Sequence, residues 1–197
     1  MQNNNFTPFQ HFDISSQKRA EIKNQKPKCI WLTGLSGAGK STLANTLVKE
    51  LTSMGIHTYI LDGDNIRNGL CSDLGFDDKD RHENIRRVAE VSKLMFDAGL
   101  IVICAFISPF QRDRDFARSL YIDGDFIEVF VNTPMDVIIK RDPKGHYKKA
   151  QKGLIENFTG IGSSYETPEN PEIVIDTEEL SVDESIDKIK NYLGVLK

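Results

Sequence analysis

The sequence predicts an α/β fold on a mainly parallel sheet, and three features carry that expectation. Short apolar runs rich in strand formers recur at Cys29–Leu32, Ile56–Leu61, Leu100–Phe106, Phe126–Val131 and Glu172–Ile175. Segments with helical spacing separate them, the pattern left by parallel strands joined through crossover helices. The first strand breaks into a loop with three glycines and resumes as a helix marked by Leu43, Leu47 and Leu51.

With 197 residues the chain fits one domain with a full core, or a core plus a short arm, and neither a repeat nor a second core is evident. A net charge of −4 argues against a general nucleic-acid coat, so basic clusters should be local and serve small anions. Cys29, Cys71 and Cys104 lack metal-ligand spacing, and two of them fall in apolar runs, as reduced core thiols do. No stretch is long and apolar enough to span a bilayer, and the start is Asn/Gln-rich in place of a basic-then-apolar signal. A cytoplasmic protein with neither membrane nor nucleic-acid partners is expected.

Taken in order, residues 1–27 are polar with Phe6, Phe9, Phe12 and Ile14 scattered among them, which fits either a frayed tail or an arm that docks its aromatics. Residues 34–42 then read Gly34-Leu35-Ser36-Gly37-Ala38-Gly39-Lys40-Ser41-Thr42, and Gly34, Gly39, Lys40 and Ser41 satisfy G-x-x-x-x-G-K-[ST]. Glycines let successive backbone N–H groups turn inward, and the positive end of the following helix adds to their field. Triphosphate oxygens suit such a cradle. Lys40 would reach the β- and γ-phosphates, while the Ser41 hydroxyl would take a Mg²⁺ coordination position.

Gly55 is a C-terminal stop for the first helix, and the second strand ends in Asp62-Gly63-Asp64-Asn65-Ile66-Arg67. Ligands of open α/β sheets collect at the carboxyl ends of strands, so these carboxylates should lie near the phosphate loop, as metal partner or proton acceptor. An Asp-Gly turn followed by an N-cap is the plainer alternative. Residues 73–87 run into a helix reaching about Ala98, with Ile85, Val88, Val91, Leu94 and Met95 in helical spacing and Arg81, Asn84 and Arg87 on other faces. Those arginines are either anion-facing or part of a solvated surface paired with Glu83 and Glu90.

Gly99 ends that helix, and Leu100–Phe106 is a continuous apolar run, as in a central parallel strand covered on both faces. Ser108 and Pro109 then fit the N-cap and first residue of the next helix. Thr133-Pro134 opens a helix to about Arg141. Residues 141–150 are basic with Pro and Gly, suited to a flap that closes over phosphates and expels water, or else to an ordinary solvated loop. Phe158 begins a turn, and Ser181–Leu196 reads as a terminal helix with Ser181 and Glu184 in capping-box spacing.

The segments GLSGAGKST, LDGDNIRNGL, DLGFDDKDRHENIRR, DAGLIVICAFISP, RDPKGHYKKA and FTGI stand together in the order found in adenylylsulfate kinases, which the chain resembles from about residue 15 nearly to its end. The resemblance implies a P-loop NTPase-type three-layer sandwich: an arm at 1–27, then a kinase domain at 28–197 with a mobile basic lid at about 141–160. It implies transfer of the γ-phosphoryl group of ATP, with Mg²⁺, to the 3′-hydroxyl of adenosine 5′-phosphosulfate. Residues 34–42 would hold ATP; Asp64 would serve as base or metal partner beside the accepting hydroxyl, with Asp62 as helper. Asn65, Ile66, Arg67, Arg81, Asn84, Ile107, Ser108 and Lys144 would bind the acceptor, and Phe76 and Phe158 would sandwich its adenine.

The family labels the Ser108 position a phosphoserine, but an in-line transfer needs no covalent stop, so binding or capping is the role assigned to it here. The resemblance also implies a homodimer. Cys71 departs from a usual asparagine, Gln111 from a common arginine, and Gly162-Ser163-Ser164-Tyr165 from Asp-Ser-Pro-Tyr. The competing functions are a kinase for another nucleoside or hydroxylated metabolite, and a nucleotide-dependent switch or scaffold. The Asn-Lys-x-Asp tetrapeptide of guanine-selecting switches is absent, and the joint presence of Lys40, Ser41 and Asp64 speaks against an inert scaffold.

Overall fold

The computed structural model describes residues 10, 12–142, 145–155 and 158–195. Its sheet has five strands, β1 (Lys28–Thr33), β2 (Thr58–Asp62), β3 (Ile101–Ala105), β4 (Phe126–Asn132) and β5 (Ile173–Asp176). They lie in the order β2-β3-β1-β4-β5, every pairing parallel. Helices α1 (Ser16–Ile22), α2 (Lys40–Ser53), α3 (Gly63–Arg67) and α4 (Asp78–Asp97) alternate with the first three strands. Helices α5 (Gln111–Ser119), α6 (Met135–Arg141), α7 (His146–Gln151) and α8 (Val182–Leu193) complete the chain. Among the described residues no helix is long and apolar enough to cross a membrane.

Strand pleating divides the core into two layers. Ile30, Leu32, Ile103 and Val129 face Leu43 and Leu47 of α2 and Ile186 and Ile189 of α8. Cys29, Trp31, Val102 and Cys104 face Ile85, Val88 and Ala89 of α4 and Ala117 of α5. Both sides of the central strands are dry, which is why their sequences read as unbroken apolar runs. All three cysteines are buried and free, as expected.

Several boundaries differ from expectation. The terminal helix stops at Leu193, where Gly194 takes φ 68° as a left-handed cap; its start does carry the Ser181–Glu184 capping box, an arrangement that contributes about 1 kcal/mol. Phe110, not Ser108, is the N-cap of α5, and Pro109 precedes the helix. The arm docks without its aromatics: Phe12 is exposed, and Phe6 and Phe9 lie outside the described residues. It is Ala20 of α1 that is buried, packed so closely that a Cβ on Gly99 would come within 2.9 Å of the Ala20 nitrogen. Gln25 then clips the amino ends of two strands, donating to the His57 and Gly99 carbonyls and accepting from the His57 N–H.

One of the basic side chains on α4 is structural. Arg87 forks Asp73 at 2.7 and 2.9 Å and donates to the Leu70 carbonyl, pinning the preceding loop, while Glu83 accepts from both Arg86 and Arg87. Those two guanidinium groups hold the Glu83 carboxyl down at about 2, so its stabilising contribution is full above its ordinary value of 4.5 and is lost as pH falls towards 2. Urea melts across that interval should fall more steeply for the unaltered protein than for Glu83→Gln, which has no proton to take up.

Candidate active site

β1 ends at Thr33 between β3 and β4, and the chain must turn at once to enter α2. Gly34 makes that turn at φ 147°, so close to β4 that a Cβ would lie 2.5 Å from the Val131 carbonyl oxygen. Gly37 and Gly39 also take positive φ, and Gly39 caps α2. Leu35 packs on the core and Ala38 is fully buried, so the loop is fastened from beneath. Lys40 lies largely buried, its Nζ donating to the Gly34 and Leu35 carbonyls at 2.8 and 2.7 Å.

Two clefts meet over this loop, and Ser36, Gly37, Lys40, Ser41 and His146 border both. The smaller, about 170 Å³, continues past Gly39 and Thr42 to Asp142 and Tyr147. The larger, about 260 Å³, opens over the ends of β2 and β3 and is bordered by Asp62, Asp64, Arg67, Arg81 and Asn84. Its other walls include Phe76, Phe158, Ile107 and Ser108. The Ser41 hydroxyl donates to Asp62 Oδ2 at 2.7 Å, and the other Asp62 oxygen accepts from the Asp64 N–H as the N-cap of α3. The N-cap reading of the Asp-Gly segment thus holds, and the Asp62 carboxylate also reaches the phosphate loop at Ser41. Asn65 is exposed and Ile66 packs towards the α4 core, and neither borders a cleft; Lys144 lies outside the described residues.

The larger cleft is prepared for anions and a flat ring. Burial pulls both the Arg67 and Arg81 guanidinium groups below their ordinary value, and the charge of Arg67 adds to the effect on Arg81. Two cations held near each other in a partly dry cleft favour a bound anion, which relieves both burial and repulsion. Arg81 Nε donates to the Phe76 carbonyl at 2.8 Å and its Nη1 to Thr159 Oγ1 at 2.9 Å, which fixes the head between the two walls. The Arg67 guanidinium lies 4.2 Å from the Phe76 ring centroid. Asn84 is buried at the cleft wall, and among the described residues its Nδ2 meets no hydrogen-bond acceptor, so it suits a polar ligand atom.

Ser108 is not a cap because its backbone is turned to φ 39°, outside the range of an N-cap. Its hydroxyl accepts the indole N–H of Trp31 at 3.1 Å, and its carbonyl accepts from Arg114 at 2.8 Å. In the basic segment, Arg141 turns away to donate to Thr177, whereas Tyr147 is buried and donates its hydroxyl to the Ser36 carbonyl at 2.9 Å. The Tyr147 ring meets Phe158 edge-on at 4.9 Å, and burial pushes its phenol up to about 12. Neither Tyr147 nor Thr159 was singled out by sequence; an aromatic in a run of lysines was the available signal for the first.

The adenylylsulphate kinase family model matches residues 26–176. An adenylyl-sulfate kinase of Aeromonas hydrophila is 64% identical over 160 residues, 81% of each chain. One from Vibrio parahaemolyticus is 57% identical over 180 residues, covering 91% of this chain and 88% of its own. The Mycobacterium tuberculosis APS kinase CysC, solved in complex with AMPPNP and APS, superposes with a TM-score of 0.82 at 44% identity, covering 86% of this chain and 98% of that one. The matched segment takes in every element that borders the two clefts, and the chain belongs to the adenylylsulphate kinase family.

Proposed function

We propose that the chain transfers the γ-phosphoryl group of ATP to the 3′-hydroxyl of adenosine 5′-phosphosulfate, releasing ADP and 3′-phosphoadenylylsulfate. The observation that carries this reading is the shared wall of the two clefts: donor and acceptor would lie on either side of Lys40 and Ser41. Phosphoryl transfer depends on in-line placement and charge stabilisation more than on covalent chemistry, and a shared wall supplies the first. ATP fills the smaller cleft with its phosphates on the amides of residues 34–42, and Lys40 swings from the Gly34 and Leu35 carbonyls to the β- and γ-oxygens.

In the larger cleft Arg67, Arg81 and Asn84 take the phosphosulfate and ribose, and Phe76 and Phe158 take the adenine. Asp64, exposed at the cleft rim, accepts the hydroxyl proton. The Ser41 hydroxyl and Asp62 carboxylate are hard oxygen donors held 2.7 Å apart, a set that fits Mg²⁺. Among the described residues no three His, Cys, Asp or Glu side chains gather at one point, so the ion would also need phosphate oxygens. When bound, Mg²⁺ supplies charge neutralisation to the triphosphate. In this reading the protein works in the cytoplasm, as its composition suggests, and as the homodimer that the family resemblance implies.

An ADP-release assay across an acceptor panel tests the reading: adenylylsulfate should be turned over and ordinary nucleosides hardly at all. Turnover of another acceptor in preference would overturn it. Lys40→Ala should lower turnover by at least about a hundredfold, the scale of losing one charge-stabilising group. Gly34→Ala should abolish ATP binding by equilibrium dialysis, because the new methyl meets the Val131 carbonyl at 2.5 Å. Ser108→Ala should keep turnover within about tenfold, yet cost about 1–3 kcal/mol in urea melts by orphaning the buried Trp31 N–H; radiolabel trapped on Ser108 of the unaltered protein at a kinetically competent rate would overturn this.

A further inference from the structure

Behind the larger cleft one buried cation joins segments far apart in sequence. The Arg114 side chain of α5 is fully inaccessible, and its Nε faces Glu128 Oε1 of β4 at 2.8 Å. Nη1 donates to the Ser108 carbonyl and Nη2 to the Glu166 carbonyl, both at 2.8 Å, and Nη2 also reaches Gln111 Oε1. The Glu166 segment is laid along the Ser108 loop by two further bonds, from Glu166 N–H to the Pro109 carbonyl and from Gln111 N–H to the Glu166 carboxylate. Tyr165 extends the seam, its hydroxyl 3.0 Å from Thr33 Oγ1, which in turn donates to the Ile107 carbonyl.

The two strips so joined carry opposite parts of the cleft lining. One holds Ile107, Ser108 and Pro109; the other runs back from Glu166 to Phe158 and Thr159, the partner of Arg81. A buried ion pair is a poor source of stability, because desolvation offsets most of the attraction. What a forked guanidinium does, and an apolar chain cannot, is donate to two carbonyls on different segments while still facing a carboxylate; a lysine has three donors, but on one nitrogen, and cannot span the separate positions that Nε, Nη1 and Nη2 take here.

We propose that Arg114 is a positioning residue for the acceptor: through the Ser108 and Glu166 carbonyls it sets the distance between the Ile107–Pro109 wall and the Phe158–Thr159 wall without touching substrate. The proposal rests on the acceptor assignment above. It separates acceptor from donor, because among the described residues the Arg114 head meets Ser108, Gln111, Glu128 and Glu166, all of them outside residues 34–42.

Two variants test it. Arg114→Lys keeps the charge facing Glu128 and loses the fork. The pair R114M/E128L replaces the ion pair by apolar groups of similar bulk and leaves Arg118 forked to Glu172. Both should raise KM for adenylylsulfate about tenfold, the scale of one lost positioning hydrogen bond, with KM for ATP changed less than about twofold. The double variant spares the ion-pair desolvation but orphans the Ser108 and Glu166 carbonyls, so it should melt below the unaltered protein while remaining folded. Trp31, the single tryptophan, is bonded to Ser108 and reports the loop directly, so Arg114→Lys should red-shift its emission as water reaches the indole.

Acceptor KM unchanged in both variants, equal rises in both KM values, or unshifted Trp31 emission in Arg114→Lys would each overturn the proposal. Absence of adenylylsulfate turnover by the unaltered protein would count against the acceptor assignment instead, and the Trp31 emission would still decide the role of Arg114.

Discussion

The site depends on a backbone approach that only a hydrogen atom can fill. β1 is flanked by β3 and β4, so the chain leaving it must curl past the end of β4, and at Gly34 it does so against the Val131 carbonyl. From that contact follow the direction of the loop amides, the start of α2 at Lys40 and the meeting of two clefts over one short segment. A β-carbon there would push the loop off the sheet, and the carbonyls that hold Lys40 would move with it. Parallel strands supply the rest of the placement. Their carboxyl ends lie at one edge, so Thr33, Asp62 and the Ile107–Ser108 turn come together although 29 to 75 residues separate them.

Charge and shape are set before any ligand arrives. Arg67 and Arg81 are held near each other at a cost in burial and repulsion, and Asn84 keeps a buried amide without an acceptor. Each is unfavourable in the protein alone, and each is relieved by an anionic, polar molecule of the right outline. The walls that present these groups are themselves tied at the back, by Thr159 to Arg81 on one side and by Arg114 to Ser108 and Glu166 on the other. Preorganisation of this kind keeps the cost of ordering out of the binding step.

Most of the architecture was legible because its signals are local. The apolar runs of β1 and β3 and the glycines of the phosphate loop state their roles in a few adjacent residues, and the Ser181–Glu184 box marks α8. Ser108 misled because Ser-Pro is a good helix opening when only neighbours are considered. Two groups beyond those neighbours hold its conformation, the Trp31 indole 77 residues away and the Arg114 fork six residues on. Helix α7 was hidden for a similar reason: six residues with two lysines show no apolar stripe, and Tyr147 alone fastens them to the Ser36 carbonyl. Asp62 resisted assignment from local sequence because its two oxygens serve different partners, one capping α3 and the other accepting from the Ser41 hydroxyl, 21 residues away.

Gln25 lies just outside residues 26–176, the segment that the family model matches, yet its amide completes the hydrogen bonding of His57 and Gly99 where β2 and β3 begin. At the other terminus α8, also beyond that segment, delivers Ile186 and Ile189 to the core. The segment that the family model matches is therefore smaller than the unit of folding. A shortened protein trimmed to the former would expose a strip of the sheet to solvent and leave three backbone groups at its base to seek water.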